Sequence, residues 1–153
     1  IWVNLDLSKT TIPAREIMQV IEKTGMLDQV TCYTGSSADL GKEYYEIDNR
    51  ISIHLSVSST SAIGNIAGTK SVPLFQINTA KYWDGTSASS DLSNAIRKRG
   101  YCTFSNLLNY DKKVRDGNID ALKAFCDAKI DFLQTDYGDH ANIVNYLKER
   151  GLR

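Results

Sequence analysis

The residues best placed to do chemistry stand at the end of the last apolar run of the sequence. Gln134, Thr135 and Asp136 follow the apolar residues of segment 130–133, and apolar residues then recur at helical spacing over segment 143–147. This pattern predicts a strand, a polar corner and a closing amphipathic helix. In α/β proteins, ligands bind beyond the carboxyl ends of the strands. We therefore expect these three polar residues to face a ligand.

Histidine is the side chain that most often transfers protons in catalysis, and the sequence contains two. His54 lies within an alternating apolar run, so it is either a hydrogen-bonded structural residue or a residue that lines the site. His140 stands at the start of the closing helix, where we expect a solvated side chain. The three cysteines, Cys32, Cys102 and Cys126, lack the spacing of a metal site or of a disulfide framework. We expect them to be small buried apolar residues.

A short polar segment, Thr34-Gly35-Ser36-Ser37, separates an apolar run from a helical pattern. Backbone amides at such a helix start can bind a phosphate, so the segment is a candidate phosphate site. Polar residues also cap ordinary helices at this position, which is the structural alternative. The sequence contains no Gly-x-Gly-x-x-Gly motif and no Walker lysine motif that would favour the phosphate site.

Six apolar runs predict the strands that position these residues, and helical patterns lie between them. The predicted strands are residues 1–7, 29–34, 51–57, 72–77, 101–105 and 130–135. The first predicted helix starts at Pro13, carries Ile17, Val20 and Ile21, and ends at Gly25; the others cover residues 38–47, 61–66, 91–99, 119–127 and 139–150, the last with Asp139 as its N-cap. Segment 84–90 is rich in Gly, Ser and Thr and is expected to be a mobile loop. The alternation predicts a parallel sheet covered by helices, in a single domain over residues 1–153.

Composition limits the classes of partner. The 153 residues are enough for one ordinary domain with a core. Acidic and basic residues balance at 18 each, so no charge excess indicates nucleic acid, and we expect no nucleic-acid partner. No apolar run approaches the length of a membrane span, so we expect no stable membrane insertion. No signal peptide is visible, but the sequence has no initiator Met, and a cytoplasmic, periplasmic or secreted location stays open.

Six strand–helix units fit two architectures. One is an open doubly wound sheet, and the other is most of a closed eight-stranded barrel. The open sheet would place a phosphate or nucleotide site near a strand crossover, and segment 34–37 is the candidate for it. The alternation alone does not distinguish the two.

The closing segment resembles the carboxyl-terminal end of the glycerophosphodiester phosphodiesterase family. In that family the last strand ends in Thr-Asp, as in Thr135-Asp136, and the closing helix ends in a Leu-x-x-Arg-Gly tail, as in segment 147–151. Gly138 stands where the family usually has Pro. The likeness extends over nearly the whole sequence and favours the barrel.

Two earlier segments carry the same resemblance. The strand that ends at Asp6 looks like the family strand that carries an acidic residue toward the metal, with Ser8 in place of the family's lysine. Segment 100–106 resembles the penultimate strand of the family, which often ends in an aromatic-rich segment and Asn, here Asn106.

The resemblance implies a parallel (β/α) barrel of the TIM type that hydrolyses glycerophosphodiesters, small molecules of lipid metabolism, to glycerol phosphate and an alcohol. It implies a divalent cation, Mg²⁺ or Ca²⁺, held by carboxylates. Asp6 is then the metal-ligand candidate, and its structural alternative is a strand-end residue hydrogen-bonded to a loop. The implied substrate-binding residues are His54, Trp83, Asn106 and Asp136, of which Asp136 is expected to orient backbone rather than bind metal.

The catalytic motifs of the family do not occur in this sequence. The family begins with a His-Arg-Gly strand and a Glu-x-Asp strand, followed by a second catalytic histidine, and none of these is present. We therefore expect an incomplete barrel that lacks its first two or three βα units, with the catalytic residues upstream of Ile1 and little activity in the chain alone. Two alternatives stay open: a catalytically dead barrel relative, which Ser8 favours, or an open α/β domain that binds a phosphorylated ligand.

Overall fold

The computed structural model of the protein describes residues 3–66 and 73–152, and strands alternate with helices along them. The strands are β1 (Val3–Asp6), β2 (Val30–Tyr33), β3 (Ser52–Val57), β4 (Leu74–Ile77), β5 (Cys102–Asn106) and β6 (Phe132–Gln134). The helices are α1 (Ala14–Lys23), α2 (Ala38–Ile47), α3 (Thr60–Ile66), α4 (Asp91–Arg97), α5 (Asp111–Arg115), α6 (Asp120–Asp127) and α7 (Ala141–Glu149). Each predicted strand and helix has a counterpart, although Ile1, Trp2 and Val72, the outer residues of two predicted strands, lie outside the described residues.

Two features of the helices differ from the sequence predictions. Helix α5 was not predicted, because its five residues are too few to show a period. The prediction of Asp139 as the N-cap of α7 is wrong. His140 has the extended backbone of an N-cap, and its Nδ1 accepts a hydrogen bond of 3.4 Å from the Asn142 amide.

The chain divides into two compact units. The amino-terminal unit contains Ile1–Gln76 with Arg99–Tyr101, and the carboxyl-terminal unit contains Ile77–Lys98 with Cys102–Arg153. Strands β1, β2 and β3 pair in parallel, and so do β5 and β6. Strand order follows the chain from β1 to β6, whereas a doubly wound sheet reverses its order at a crossover. This consecutive order is the order of the βα units in a TIM-type barrel.

The core of the amino-terminal unit forms where α1 and α2 cover the sheet. Helix α1 buries Ala14, Met18 and Ile21, which recur at helical spacing, whereas Val20 is 61% exposed and lies away from the core. Helix α2 approaches β3 so closely that a Cβ at Gly41 would lie 2.9 Å from the Ile53 side chain. Glycine at this position therefore allows the close helix–sheet contact.

The core of the carboxyl-terminal unit contains a compact apolar cluster contributed by the β5–α5 connection and by helices α5, α6 and α7. Its buried members are Leu107, Val114, Ala121, Leu122 and Ile143. Burial of such side chains is the main favourable term in folding. The cluster therefore anchors the connections that follow β5 and β6.

The predicted mobile loop, segment 84–90, begins with a closed turn. The Asp84 Oδ1 accepts hydrogen bonds of 2.8 Å from the backbone amides of Thr86 and Ser87. These bonds lower the pKa of the Asp84 carboxyl. Trp83 and Ala88 pair across the turn in an antiparallel bridge.

The prediction that all three cysteines are buried holds only in part. Cys32 is fully buried, and burial raises the pKa of its thiol to about 12. Cys126 is half-buried. Cys102 is exposed, because strand alternation places the next residue, Thr103, on the buried side of β5.

Within residues 3–66 and 73–152, the helices are too short and too polar to cross a bilayer. Helices α1 and α2 each have ten residues. A membrane-spanning helix needs about 20 apolar residues.

Candidate functional site

Polar side chains of β1, β2 and β3 share one face of the sheet in the amino-terminal unit. The parallel register pairs Asp6 with Tyr33, and Tyr33 with His54. Residues that pair across strands point to the same side, as do residues two apart on one strand, so Asn4 and Ser56 lie on this side too. We call these five residues the polar face. The carboxyl ends of its strands are where an α/β barrel binds its ligand.

Asp6 lies at the carboxyl end of β1 with its side chain exposed. Its Oδ1 accepts two hydrogen bonds from Ser8, one of 3.1 Å from the backbone amide and one of 2.6 Å from the hydroxyl. Aspartate commonly closes a turn in this way. The carboxylate is therefore oriented by its own loop, which is the structural alternative that the sequence left open for Asp6.

His54 is fully buried in β3, 0% exposed. Its ring centroid lies 4.9 Å from that of Tyr33, and its Nδ1 lies 3.3 Å from the Asn4 Oδ1. Because a carboxamide oxygen only accepts hydrogen bonds, His54 donates its Nδ1–H in this pair. Burial lowers the pKa of His54 to about 4, and the Asp6 carboxylate opposes this shift only in part. His54 is therefore a neutral hydrogen-bond donor at pH 7.

The segment after β2 forms a structural cap. The Ser37 Oγ accepts a 3.2 Å hydrogen bond from the Leu40 amide at the start of α2, and the Thr34 hydroxyl donates to the Ser37 carbonyl. Gly35 has φ +64°, a conformation that glycine adopts without strain. Its carbonyl accepts a 2.6 Å bond from the Ser56 amide. These contacts fix the segment between α2 and β3.

The residues of the polar face supply few of the ligands that a divalent cation needs. Carboxylate oxygens are suitable ligands for Mg²⁺ or Ca²⁺, and Asp6 is the one carboxylate of this face. Residues 3–66 and 73–152 contain no group of three or more His, Cys, Asp or Glu that could hold a metal ion. These residues therefore do not fit a complete cation site by themselves, although Asp6 could contribute one ligand to a larger one.

The corner after β6 is organised by a carboxylate from α5. Asp111 is 2% exposed, and its two oxygens accept hydrogen bonds from the Thr135 hydroxyl at 2.6 Å and from the Asp136 amide at 3.0 Å. The Asp136 side chain itself is exposed. The carboxylate that orients backbone here is thus Asp111, and Asp136 is one of the residues that it orients.

Two carboxamides lie side by side just before this corner. The register pairs Asn106 at the end of β5 with Gln134 at the end of β6. Asn106 is half-buried and Gln134 is exposed. The structure thus places the predicted substrate-binding residue Asn106 next to a residue of the closing polar corner.

Trp83 lies in the turn after β4 and packs against protein. Its ring centroid is 5.2 Å from that of Tyr110 in an edge-on arrangement, and its side chain contacts the apolar cluster of the carboxyl-terminal unit. The indole is half-buried, so part of it is exposed. A substrate-binding role for Trp83 stays a prediction.

Sequence reasoning missed Asp111 and Tyr33. Asp111 gave no local signal, because its partners Thr135 and Asp136 lie 24 and 25 residues further along the chain. Tyr33 could have been found from the alternation of β2, where Val30 and Cys32 occupy the opposite side. Its hydroxyl forms a 2.7 Å hydrogen bond with the Ser56 hydroxyl across the polar face.

Comparison with known proteins finds likeness at the level of fold. No family model and no curated protein sequence matches the chain. The crystal structure of a glycerophosphoryl diester phosphodiesterase from Parabacteroides distasonis matches 97% of the chain with a TM-score of 0.73 and 13% identity. The crystal structure of a Galdieria sulphuraria protein, provisionally assigned as a glycerophosphodiester phosphodiesterase, matches 97% of it with a TM-score of 0.74 and 8% identity.

The extent of these matches limits what they show. The chain spans about half the length of the two structures, 51% and 57%. Identities this low show a shared fold and nothing more. The family resemblance found in the sequence is confirmed at this level.

Proposed function

We propose that this chain is part of a (β/α) barrel that hydrolyses glycerophosphodiesters to glycerol phosphate and an alcohol. The observation that carries the proposal is Asp6, an exposed carboxylate at the carboxyl end of β1 in a chain with the fold of part of such enzymes. The strand order supports a barrel over the open sheet. The substrate class is thus a small-molecule phosphodiester.

In this proposal Asp6 supplies one oxygen ligand to a divalent cation, Mg²⁺ or Ca²⁺. When bound, such a cation polarises the phosphoryl oxygens of the substrate. The two hydrogen bonds from Ser8 orient the Asp6 carboxylate. The proposal takes the other ligands of the cation from outside the described residues, since these contain no group of three or more His, Cys, Asp or Glu that could hold it.

The substrate contacts in the proposal are Trp83, Asn106 and Asp136. His54 is buried and would act indirectly, through its contact with Asn4. As a neutral donor it holds the Asn4 carboxamide on the polar face, two residues before Asp6. Substrate orientation by such groups is a recognised source of rate enhancement.

We propose that the general acid and base lie outside residues 1–153, in the first βα units of the whole barrel. Of the two histidines of the chain, His54 is buried and His140 caps α7. General acid–base catalysis typically contributes about 10²–10⁴-fold to the rate. The 153-residue chain alone is therefore expected to show turnover near background.

The test measures release of glycerol phosphate from glycerophosphocholine by the whole protein, with and without a chelator. We expect the chelator to abolish turnover. We expect Asp6→Asn, which keeps the shape of the side chain, to lower cation affinity and rate together, each by about tenfold or more, with an unchanged melting temperature. Asp28→Asn, at an exposed residue before β2, is the matched control.

Three results would contradict parts of the proposal. Undiminished turnover in the chelator would exclude the cation. Normal cation binding by Asp6→Asn would exclude Asp6 as a ligand. Robust turnover by residues 1–153 alone would show that the general acid and base lie within this chain.

One observation favours a second function, a catalytically inactive relative that binds a phosphorylated ligand. Both hydrogen bonds from Ser8 end on the Asp6 Oδ1, so this oxygen is already engaged by the protein. Binding of glycerol 3-phosphate by the whole protein without turnover of any diester would support this alternative.

A further inference from the structure

Four side chains form a distinct surface on one side of β5 and β6. The register pairs Phe104 with Phe132 and Asn106 with Gln134, and strand alternation points all four to the same side. Phe132 is 52% exposed and Gln134 is also exposed, whereas Phe104 and Asn106 are half-buried. We call these four residues the amide–aromatic face. None of them carries a charge.

The backbone beneath the two carboxamides is fixed. The Asn106 carbonyl accepts a 3.0 Å hydrogen bond from the Thr79 hydroxyl, and the Gln134 carbonyl accepts a 2.9 Å bond from the Leu107 amide. Asp111 fixes the chain immediately after Gln134 through Thr135. Both side chains therefore project from a rigid support at the carboxyl ends of their strands.

The carboxamides themselves keep their hydrogen-bonding capacity. Within the described part of the chain, neither the Asn106 nor the Gln134 side chain forms a hydrogen bond with protein. Each offers one acceptor oxygen and an NH₂ donor. Neighbouring strands lie about 4.8 Å apart, so two donor–acceptor groups stand close enough to contact adjacent hydroxyls of one ligand.

We propose that the amide–aromatic face binds the neutral polyol part of a ligand, which in the proposed function is the leaving alcohol of the phosphodiester, the group that is a polyol in glycerophosphoglycerol and choline in glycerophosphocholine. A hydroxyl both donates and accepts hydrogen bonds, as a carboxamide does. A phosphate is bound by positively charged side chains or by converging backbone amides, and a quaternary ammonium by a cage of aromatic rings or by carboxylates. Two rings beside two carboxamides supply neither set. The rings of Phe104 and Phe132 offer apolar contact to the carbon skeleton of the polyol.

This inference rests on the proposed function, and two substrates separate the two claims. Turnover of glycerophosphoglycerol, whose two alcohols are both polyols, is compared with turnover of glycerophosphocholine, for the whole protein and for Gln134→Leu. Loss of one uncharged hydrogen bond corresponds to about two- to tenfold in affinity. We expect Gln134→Leu to raise the KM for glycerophosphoglycerol by about two- to tenfold and to leave the KM for glycerophosphocholine nearly unchanged. Asn145→Leu, at an exposed carboxamide of α7, is the matched control.

Each outcome decides something. Equal changes for both substrates, or none, in Gln134→Leu would overturn the inference and leave the proposed hydrolysis intact. If the unsubstituted protein hydrolyses neither diester, the proposed function fails, and a titration of the protein with glycerol decides the inference. Shifts of the Asn106 and Gln134 side-chain NH₂ signals in NMR spectra of the unsubstituted protein, with a smaller Asn106 shift in Gln134→Leu, would support the site. Their absence would overturn it.

Discussion

The two units place an aspartate near a strand end in opposite ways. Asp6, the last residue of β1, is exposed and accepts its hydrogen bonds from Ser8, two residues away. Asp111, at the corner after β6, is 2% exposed and takes its bonds from residues 24 and 25 positions further along the chain. An exposed group with local bonds can still meet a ligand, whereas a buried group with distant bonds holds two chain segments together. The contrast is consistent with the chemistry proposed for Asp6 and predicts that Asp111 stabilises the fold.

The largest expected effect that tests this contrast is that of Asp111→Ala. The substitution leaves the Thr135 hydroxyl and the Asp136 amide without their acceptor, and hydrogen bonds to a charged group contribute about 1.5–3 kcal/mol each. We expect the free energy of unfolding to fall by about 4 kcal/mol, measured by urea denaturation. Asp6→Ala, the matched variant in the other unit, should change it by less than about 0.5 kcal/mol. Equal losses in the two variants would contradict the contrast.

The second effect concerns acid stability and His54. Burial lowers the pKa of His54 to about 4 from an ordinary value of 6.5, so between these values the unfolded chain binds a proton that the folded chain lacks. The stability that depends on neutral His54 is complete above about pH 6.5 and is lost as the pH falls through 4. We expect the loss between pH 7 and pH 4 to be about 3 kcal/mol smaller in His54→Gln than in the unsubstituted protein. Urea denaturation at the two pH values measures it, and parallel losses would contradict the buried neutral state.

A smaller effect divides the Asp111 contact between its two donors. Thr135→Val removes the hydroxyl that donates to the Asp111 Oδ1 at 2.6 Å, but it keeps the shape of the side chain and leaves the Asp136 amide in place. The same hydroxyl accepts a weaker bond of 3.2 Å from the Tyr137 amide, which is lost too. We expect a loss of about 2 kcal/mol in the free energy of unfolding. Thr135→Ser, which keeps the hydroxyl, should recover most of this loss. Similar stabilities of the Val and Ser variants would show that the Asp136 amide supplies the contact alone.

The elements that carry a periodic pattern were predictable from the sequence. The predicted helix 38–47 coincides with α2 (Ala38–Ile47), because a capping serine and a helical pattern define its start locally. Helix α5 was not predictable, because its five residues show no period and its support comes from tertiary contacts. The Asn142 side chain donates hydrogen bonds to the carbonyls of Val114 and Arg115, 28 and 27 residues earlier. No local window of sequence contains such a pair.

In the candidate site, too, the residues at strand ends were predictable and their tertiary partners were not. Asp6 and Asn106 were placed correctly at strand ends, since strand ends follow from apolar runs. The partner of the closing corner, Asp111, was not, because it depends on how α5 packs. The pairing of Asn106 with Gln134 depends on strand register, which the sequence does not specify without the folded sheet.

The smallest expected effect compares two buried tyrosines, one in each unit. Tyr44 of α2 is 0% exposed, and its hydroxyl has no hydrogen-bond partner within residues 3–66 and 73–152. Burial raises the pKa of Tyr44 to about 12. Tyr82 is 3% exposed, and its hydroxyl accepts a 3.2 Å bond from the Ser105 hydroxyl. The two rings are similarly buried, so the main difference between their hydroxyls is whether they have a hydrogen-bond partner.

Replacing each tyrosine with phenylalanine measures that difference. A buried polar group without a partner carries an uncompensated desolvation cost, so Tyr44→Phe should leave the free energy of unfolding unchanged or raise it by up to about 1 kcal/mol. Tyr82→Phe removes the acceptor of the hydrogen bond from the Ser105 hydroxyl, so it should lower the free energy of unfolding by about 1 kcal/mol. Urea denaturation of the two variants gives the comparison. Destabilisation by Tyr44→Phe equal to that by Tyr82→Phe would mean that the Tyr44 hydroxyl makes a favourable interaction, and that α2 is held against the sheet by more than apolar contact.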